Sequence, residues 1–266
     1  MPLVNATDRP IAAASAEKVP DRVVRVLELD RPDARNAMST ALLGQLLDAV
    51  TDAREDDDVA AIVLTGAAGH FSGGADLKEA MDRAGQVRRM ELFGMVYEAV
   101  ATSPKATVAG ITGSCVGGGV EVAAACDIRV ADATARFRFP GASLGFPVGP
   151  AKLVGLVGLG TAKDLVLTSR MIDAAEAHRI GLVQRLVDTD PLEAAVDVAT
   201  AIAGNHPHAI TYLKAQFDRF SGLGDRVAAE NDALHALAEA GGDFTALTAP
   251  NPKTTSGWSA VAWKHR

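Results

Sequence analysis

The chain has 266 residues, and with 48% hydrophobic and 22% charged residues it has the composition of one large globular domain or a core with a small appendage. Its net charge of −7 argues against an extended nucleic-acid-binding surface, because binding to phosphates requires a basic face. No stretch approaches the roughly 18 consecutive apolar residues of a membrane helix, so we expect neither nucleic acid nor a membrane as a partner.

The two cysteines, Cys115 and Cys126, lie among small apolar residues without a CxxC spacing. Such residues are typical of buried, reduced thiols, which favours a cytoplasmic protein. No His, Cys and acidic residues share the spacing of metal ligands, so we predict no metal site. Residues 1–20 are rich in alanine and proline and have neither a signal-peptide nor a transit-peptide pattern, and we expect a disordered extension there.

Strands and helices alternate along the rest of the chain. Residues 23–29 alternate as a strand, and residues 39–54 place leucines on one face of a helix. Residues 59–65 are apolar on both faces, which indicates a covered strand of a parallel sheet. Further elements are predicted as a strand at 107–111, a helix at 120–125 and helices at about 191–204, 207–220 and 224–240.

Two glycine turns follow two of these strands. The first, at residues 70–78, follows the strand at 59–65, and the second, at residues 113–119, follows the strand at 107–111. Three consecutive glycines at 117–119 favour a close backbone approach, or free N–H groups at the start of a helix. Glu121 follows within an otherwise apolar helix, where packing does not explain a carboxylate, so we treat it as a candidate catalytic residue.

Four segments in the same order, at residues 71–78, 117–127, 139–145 and 174–183, resemble the enoyl-CoA hydratase/isomerase (crotonase) family. They read FSGGADLK, GGGVEVAAACD, FPGASLG and AAEAHRIGLV. The resemblance implies an α/β fold, a spiral of repeated ββα units with a C-terminal helical trimerisation region. We therefore expect an acyl-CoA-binding core at residues 21–190 and an oligomerisation region at 191–266, assembled as a homotrimer or a dimer of trimers.

The same resemblance assigns roles to individual residues. Ala75 and Gly118 match the two N–H donors of the oxyanion hole that holds the thioester oxygen, and Glu121 matches a catalytic glutamate. The ligand is then an acyl-CoA or enoyl-CoA substrate of the kind found in fatty acid metabolism, with no separate cofactor. The residues expected to contact CoA are Ala34, Arg35, Ala37, Asp76, Leu77 and Lys78.

The chain departs from the family at Gly141, where the pattern calls for a second catalytic glutamate. The following loop, residues 146–153, also looks shorter than its counterpart. Loss of one positioned acid or base costs about 10²–10⁴ in rate, whereas thioester binding does not depend on it. Three outcomes stay open: a weak hydratase, a one-carboxylate enzyme such as an enoyl-CoA isomerase, or a binding protein without chemistry. If only the acid is missing, Gly141→Glu should partly restore hydration.

A serine hydrolase is the remote alternative, because residues 141–145 match the G-x-S-x-G pattern with Ser143 as nucleophile. That motif requires a helix directly after the serine. Pro147 and Pro150 follow instead, and prolines disfavour a helix interior.

Overall fold

The computed structural model describes residues 2–11 and 22–242, which form a layered α/β fold. The strands are β1 (Val4–Pro10), β2 (Val23–Leu29), β3 (Val59–Gly66), β4 (Ala106–Ile111), β5 (Ser114–Val116), β6 (Ile128–Asp132), β7 (Arg136–Arg138), β8 (Met171–Asp173) and β9 (Arg185–Val187). The helices are α1 (Thr40–Glu55), α2 (Arg83–Ala101), α3 (Gly118–Ala125), α4 (Gly141–Leu144), α5 (Pro150–Val157), α6 (Leu159–Thr168), α7 (Ala174–Arg179), α8 (Pro191–Ala203), α9 (Pro207–Ser221) and α10 (Leu223–Glu239). No helix within the described ranges is both long enough and apolar enough to span a bilayer.

The main sheet has the strand order β1-β2-β3-β4-β6-β9, and β5, β7 and β8 form a second, smaller sheet. Within the main sheet β1 pairs with β2 in an antiparallel manner, and the pairings from β2 to β9 are parallel. The loops after β3 and β4 therefore leave the sheet at the same edge. Both glycine turns lie in these loops, and this edge is the usual place for a ligand site in an open α/β sheet.

Both faces of the sheet are covered. Ile62 and Leu64 of β3 belong to the larger core, which contains the leucines of α1, whereas Ala61 and Val63 pack in a second core with Ala195 of α8. This arrangement explains why residues 59–64 of β3 are apolar at consecutive rather than alternate positions. The predicted covered strand and the predicted α/β fold are thus confirmed.

The expectation of disorder over residues 1–20 is wrong for residues 4–10. These residues form β1, whose backbone pairs with the whole of β2 at the edge of the main sheet. An ion pair between Arg25 and Asp8 (2.8 Å) joins the two strands. The polar sequence VNATDRP has no strand alternation, because a solvent-facing edge strand gains its stability from the backbone ladder rather than from burial. Residues 12–20 lie outside the described ranges.

The three predicted C-terminal helices are observed as α8, α9 and α10, but they do not form a separate region. Helix α8 covers the main sheet, and α10 packs on α2 and α5, next to the glycine turns. Helix α9 buries none of its side chains and exposes aromatic residues such as Phe217 (70%) and Phe220 (79%). The boundary expected at residue 190 is therefore not a structural one, and residues 243–266 lie outside the described ranges.

Candidate active site

The two glycine turns pack side by side beyond the carboxyl ends of β3 and β4. The Ser72 N–H donates to the Ser114 carbonyl (2.8 Å), and the Val116 N–H donates to the Ser72 carbonyl (3.0 Å). Gly74 has a φ of +90°, and a Cβ there would lie 2.6 Å from the Val116 carbonyl oxygen and 3.3 Å from the Gly118 nitrogen. Because only glycine fits this contact, the first turn can lie directly against the start of α3.

Ala75 and Gly118, the two residues matched to the oxyanion hole, line one cavity. Gly117 precedes α3 with φ 54° and ψ −125°, a conformation that favours glycine, and leaves Gly118 as the first helical residue. The first N–H groups of a helix have no acceptor within it. Neither the Ala75 nor the Gly118 N–H donates a hydrogen bond to residues 2–11 or 22–242. The two residues thus share a cavity, and their N–H groups have no acceptor among the described residues.

Asn36 joins the loop after β2 to the first glycine turn. Its side chain is fully buried and donates to the carbonyls of Ala67 (2.9 Å) and His70 (2.6 Å), while the Ser72 hydroxyl donates to the Asn36 carbonyl (2.7 Å). The backbone of Asn36 is left-handed, with a φ of 55°. Asparagine tolerates this conformation better than most residues, which is the signal that sequence reasoning missed at this position.

The residues matched to CoA binding lie on two adjacent segments, and one of them, Leu77, lines the cavity. The Gly73 N–H donates to the Arg35 carbonyl (2.8 Å), which places the loop with Ala34 and Ala37 beside residues 73–78. The side chains of Arg35, Leu77 and Lys78 are exposed. The structure thus brings together the two segments that the sequence assigned to one ligand.

Asp76 is buried and has a structural partner. Its carboxylate pairs with Arg31 (2.7 Å) and accepts from the Lys78 N–H (2.9 Å). Burial alone would raise the pKa of Asp76, but these two donors outweigh it and hold the pKa below its ordinary value. Arg31 is therefore engaged with Asp76, whereas the side chains of Arg35 and Lys78 are exposed.

The cavity has a volume of about 300 Å³ and a mostly apolar wall. Helices α2 and α10 and the loop after α4 supply this wall, and its larger side chains are Met90, Phe93, Tyr97, Phe146, Val148 and Leu234. The polar side is formed by the two glycine turns and by the lining residues Glu121, Arg89, Arg138 and Ser143. A cavity with an apolar wall and a few convergent polar groups suits a ligand that carries an acyl chain and a carbonyl.

Glu121 is buried, with 1% of its surface exposed, and lies in the first turn of α3. One carboxylate oxygen, Oε2, lies 3.0 Å from the Lys152 ammonium. The contact is an ion pair without hydrogen-bond geometry. Burial raises the pKa of Glu121 to about 7; the Lys152 charge lowers it in part, and the Glu230 charge raises it further. The carboxyl therefore titrates near neutral pH, as a general base requires.

Sequence reasoning missed Lys152 and Glu230. Lys152 from α5 is fully buried, and Glu230 from α10 accepts from both the Lys152 ammonium (2.5 Å) and the Ala151 N–H (2.9 Å). Lys152 stands in the apolar run PAKLVGLV, where a single cation could have suggested a buried charge. Glu230 lies in a helix of mixed polar and apolar residues, where a glutamate does not stand out. Their meeting depends on α10 folding back over the site.

Gly141, the position matched to the second glutamate, lies in the cavity wall but has no room for a side chain. A Cβ there would lie 2.8 Å from the Phe146 carbonyl oxygen and 3.1 Å from that of Val148. The backbone of Gly141 is not left-handed, so the obstacle is space rather than φ. The backbone of residues 146–148 occupies the space that a side chain at position 141 would need. We therefore no longer expect Gly141→Glu to restore hydration.

Ser143, the remote nucleophile candidate, lies on the single turn of α4. Its hydroxyl donates to the Pro140 carbonyl (2.9 Å), and no histidine or carboxylate among the described residues hydrogen-bonds to it. As Pro147 and Pro150 led us to expect, no helix follows the serine directly: α4 ends at Leu144, and the next helix, α5, begins only at Pro150, a first helical position where no N–H is required. Within residues 2–11 and 22–242, Ser143 also lacks a hydrogen-bonded general base, so the structure does not favour the hydrolase.

Comparison with known proteins identifies the family. The sequence profile described as enoyl-CoA hydratase/isomerase matches residues 21–237, and the chain belongs to this family. A short-chain-enoyl-CoA hydratase from Clostridium acetobutylicum is 35% identical over 203 residues, which are 74% of this chain and 78% of that protein.

Two solved structures show the same fold. An enoyl-CoA hydratase from Bacillus anthracis has a TM-score of 0.73 at 29% identity, covering 86% of this chain and 90% of that one. A monofunctional enoyl CoA isomerase from M. smegmatis has a TM-score of 0.67 at 31% identity, covering 84% of this chain and 94% of that one. The crotonase-type fold expected from the four motifs is thereby confirmed.

Proposed function

We propose that the protein binds an enoyl-CoA through its thioester oxygen and uses Glu121 as a single base that moves a proton. One observation supports the proposal: Ala75 and Gly118, whose N–H groups have no acceptor among the described residues, line the same cavity as Glu121. The matched hydratase from Clostridium acetobutylicum and the isomerase from M. smegmatis support an enoyl thioester as the ligand.

The chemistry follows from these groups. In a 3-enoyl thioester, Glu121 takes the proton on C2, and the C2–H electron pair moves into the conjugated system and charges the thioester oxygen. The Ala75 and Gly118 N–H groups donate to that oxygen as its charge develops, and each such donor is worth about 10²–10³ in rate. The protonated Glu121 then returns the proton to C4, which gives the 2-enoyl thioester and restores the carboxylate.

Isomerisation suits this site better than hydration. Hydration needs one group that activates water and a second that delivers a proton to C2, and Gly141 supplies neither. Isomerisation needs one group that removes and returns the same proton. We therefore propose an isomerase-like activity with weak hydration, in an acyl-CoA-dependent pathway such as fatty acid metabolism.

A non-catalytic acyl-CoA-binding protein is the second candidate. The observation that favours it is the ion pair of Glu121 with the buried Lys152, since the Lys152 charge makes Glu121 a weaker base than the same buried carboxylate would be without it. Binding through the two N–H groups would be unaffected. Turnover separates the two candidates, because both predict acyl-CoA binding.

The test is turnover of a 3-enoyl-CoA and of crotonyl-CoA by the purified protein, with Glu121→Gln as the matched variant. Glutamine keeps the shape of the side chain but is not a base, so we expect isomerisation to fall by about 10²–10⁴. Because the pKa of Glu121 lies at about 7, the wild-type rate should rise as the pH increases through neutrality. Acyl-CoA binding without turnover of either substrate would support the second candidate.

For assembly we propose a homotrimer or a dimer of trimers. The support is the apolar face of α9, where Tyr212, Leu213, Phe217 and Phe220 are 49–79% exposed in the single chain. Soluble proteins seldom leave such a continuous apolar surface in water. A second copy of the chain is the partner that the family resemblance implies.

A further inference from the structure

Lys152 lies between two buried carboxylates. Its ammonium is 3.0 Å from Glu121 Oε2 on one side and 2.5 Å from Glu230 Oε1 on the other. The same ammonium lies 4.8 Å from the centre of the Tyr97 ring. One ammonium group therefore lies between two buried carboxyl groups, and these three residues, Glu121, Lys152 and Glu230, are called the buried triad below.

The triad joins three helices around the base. Glu121 comes from α3, Lys152 from α5 and Glu230 from α10, while Tyr97 of α2 closes the remaining side. Glu230 also accepts from the Ala151 N–H, so its two oxygens hold both the Lys152 side chain and the start of α5. Glu230 thus fixes the position of the cation.

Lys152 acts on the ligand only through Glu121. Glu121 lines the cavity, but neither Lys152 nor Glu230 is among the cavity-lining residues of the described chain. An apolar trio of similar volume would pack this place at least as stably, since buried ion pairs seldom gain stability over hydrophobic residues. The charges are therefore better explained by their effect on the Glu121 carboxylate than by stability.

We propose that Lys152, anchored by Glu230, is a positioning residue that holds the Glu121 carboxylate and sets the pH at which it becomes a base. The catalytic consequence depends on the proposed function, whereas the effect on Glu121 does not. The two partners act in opposite directions, because the Lys152 charge favours the ionised form of Glu121 and the Glu230 charge disfavours it.

If Lys152 and Glu230 act on Glu121 through their charges rather than by packing, removing each charge should shift the titration midpoint of Glu121 in opposite directions. Lys152→Met keeps the length of the side chain and removes the cation, so the titration midpoint of Glu121 should rise by about 1–3 pH units. Glu230→Gln keeps the shape and removes one anion, so the midpoint should fall. Lys152→Arg keeps the charge and is the matched control, with a midpoint closer to wild type than that of Lys152→Met.

The experiment is a carbon-13 NMR titration of the protein labelled at glutamate carboxyl groups, without ligand, with Glu121→Gln to assign the signal. If Lys152→Met does not fold, Lys152→Met/Glu230→Gln removes both charges, and its Glu121 midpoint should still lie above that of wild type. If neither folds, Glu230→Gln decides alone. A Glu121 midpoint that rises or stays in place in Glu230→Gln overturns the proposal, as does one that stays in place in a folded Lys152→Met.

The pH dependence of kcat/KM for a 3-enoyl-CoA gives the catalytic readout. Its acidic limb should move in the same directions as the NMR midpoints. Binding of a saturated acyl-CoA should change less than threefold, because Lys152 and Glu230 do not line the cavity. If the wild type shows no turnover, the proposed function fails while the NMR titration still decides the role of Lys152. If the acidic limb of kcat/KM moves in the direction opposite to the NMR midpoint of Glu121 in these variants, Lys152 is not a positioning residue for the reaction.

Discussion

The N–H of Gly118 can be removed with a matched control. Gly118→Pro deletes this donor, and Gly118→Ala keeps it, while both introduce a Cβ that would lie 2.4 Å from Cε1 of Phe93. Both variants therefore introduce the same Cβ contact, and the difference between their rates measures the contribution of the Gly118 N–H. Proline is acceptable at the first position of a helix such as α3, where the N–H has no acceptor within the helix.

The expected magnitude follows from the role of the donor. A fixed donor to a developing oxyanion is worth about 10²–10³ in rate, or about 2.7–4 kcal/mol. Gly118→Pro should therefore turn over a 3-enoyl-CoA about 10²–10³ times more slowly than Gly118→Ala does. The ground-state carbonyl carries less charge, so binding of a saturated acyl-CoA should weaken by a smaller factor.

The assay is the initial rate of isomerisation together with calorimetric binding of the saturated analogue, on variants shown to be folded by circular dichroism. Equal rates for the proline and alanine variants would refute the assignment of Gly118 as an oxyanion donor. If turnover proves absent, equal acyl-CoA affinities in the two variants would refute it as a thioester ligand. Ala75→Pro against Ala75→Gly provides the same comparison at the second donor.

Three other predictions follow from the structure. Gly141→Glu should not increase crotonyl-CoA hydration and should lower the melting temperature, because its Cβ meets backbone carbonyls; a folded variant with faster hydration would contradict this. Asn36→Ala should lower the free energy of unfolding by about 1–3 kcal/mol, measured in urea, because buried partners lose their hydrogen bonds. Phe217→Glu/Phe220→Glu should reduce the mass measured by light scattering to that of a smaller assembly, and a wild-type monomer at micromolar concentration would exclude the trimer.

Much of the site is local in sequence, and this explains why it could be predicted. Ala75 and Gly118 each lie in a glycine turn directly after a covered strand, and parallel strands bring such turns to one edge of the sheet. Glu121 stood out because a carboxylate within an apolar helix has no packing role. Residues 4–10 were misread because a polar edge strand has no alternation to recognise, although its backbone pairs with β2 along its length.

The amino-acid sequence by itself determined the family, the covered sheet and the positions of the two turns and of Glu121, because each depends on local pattern. Only the tertiary structure decided which residues surround Glu121. Lys152 and Glu230 are 78 residues apart and meet because α10 returns to pack on α5. The backbone at 146–148 closes the space beside Gly141 in the same way. Contacts between distant segments leave no periodic trace in the sequence, since each partner is one ordinary residue until the fold brings them together.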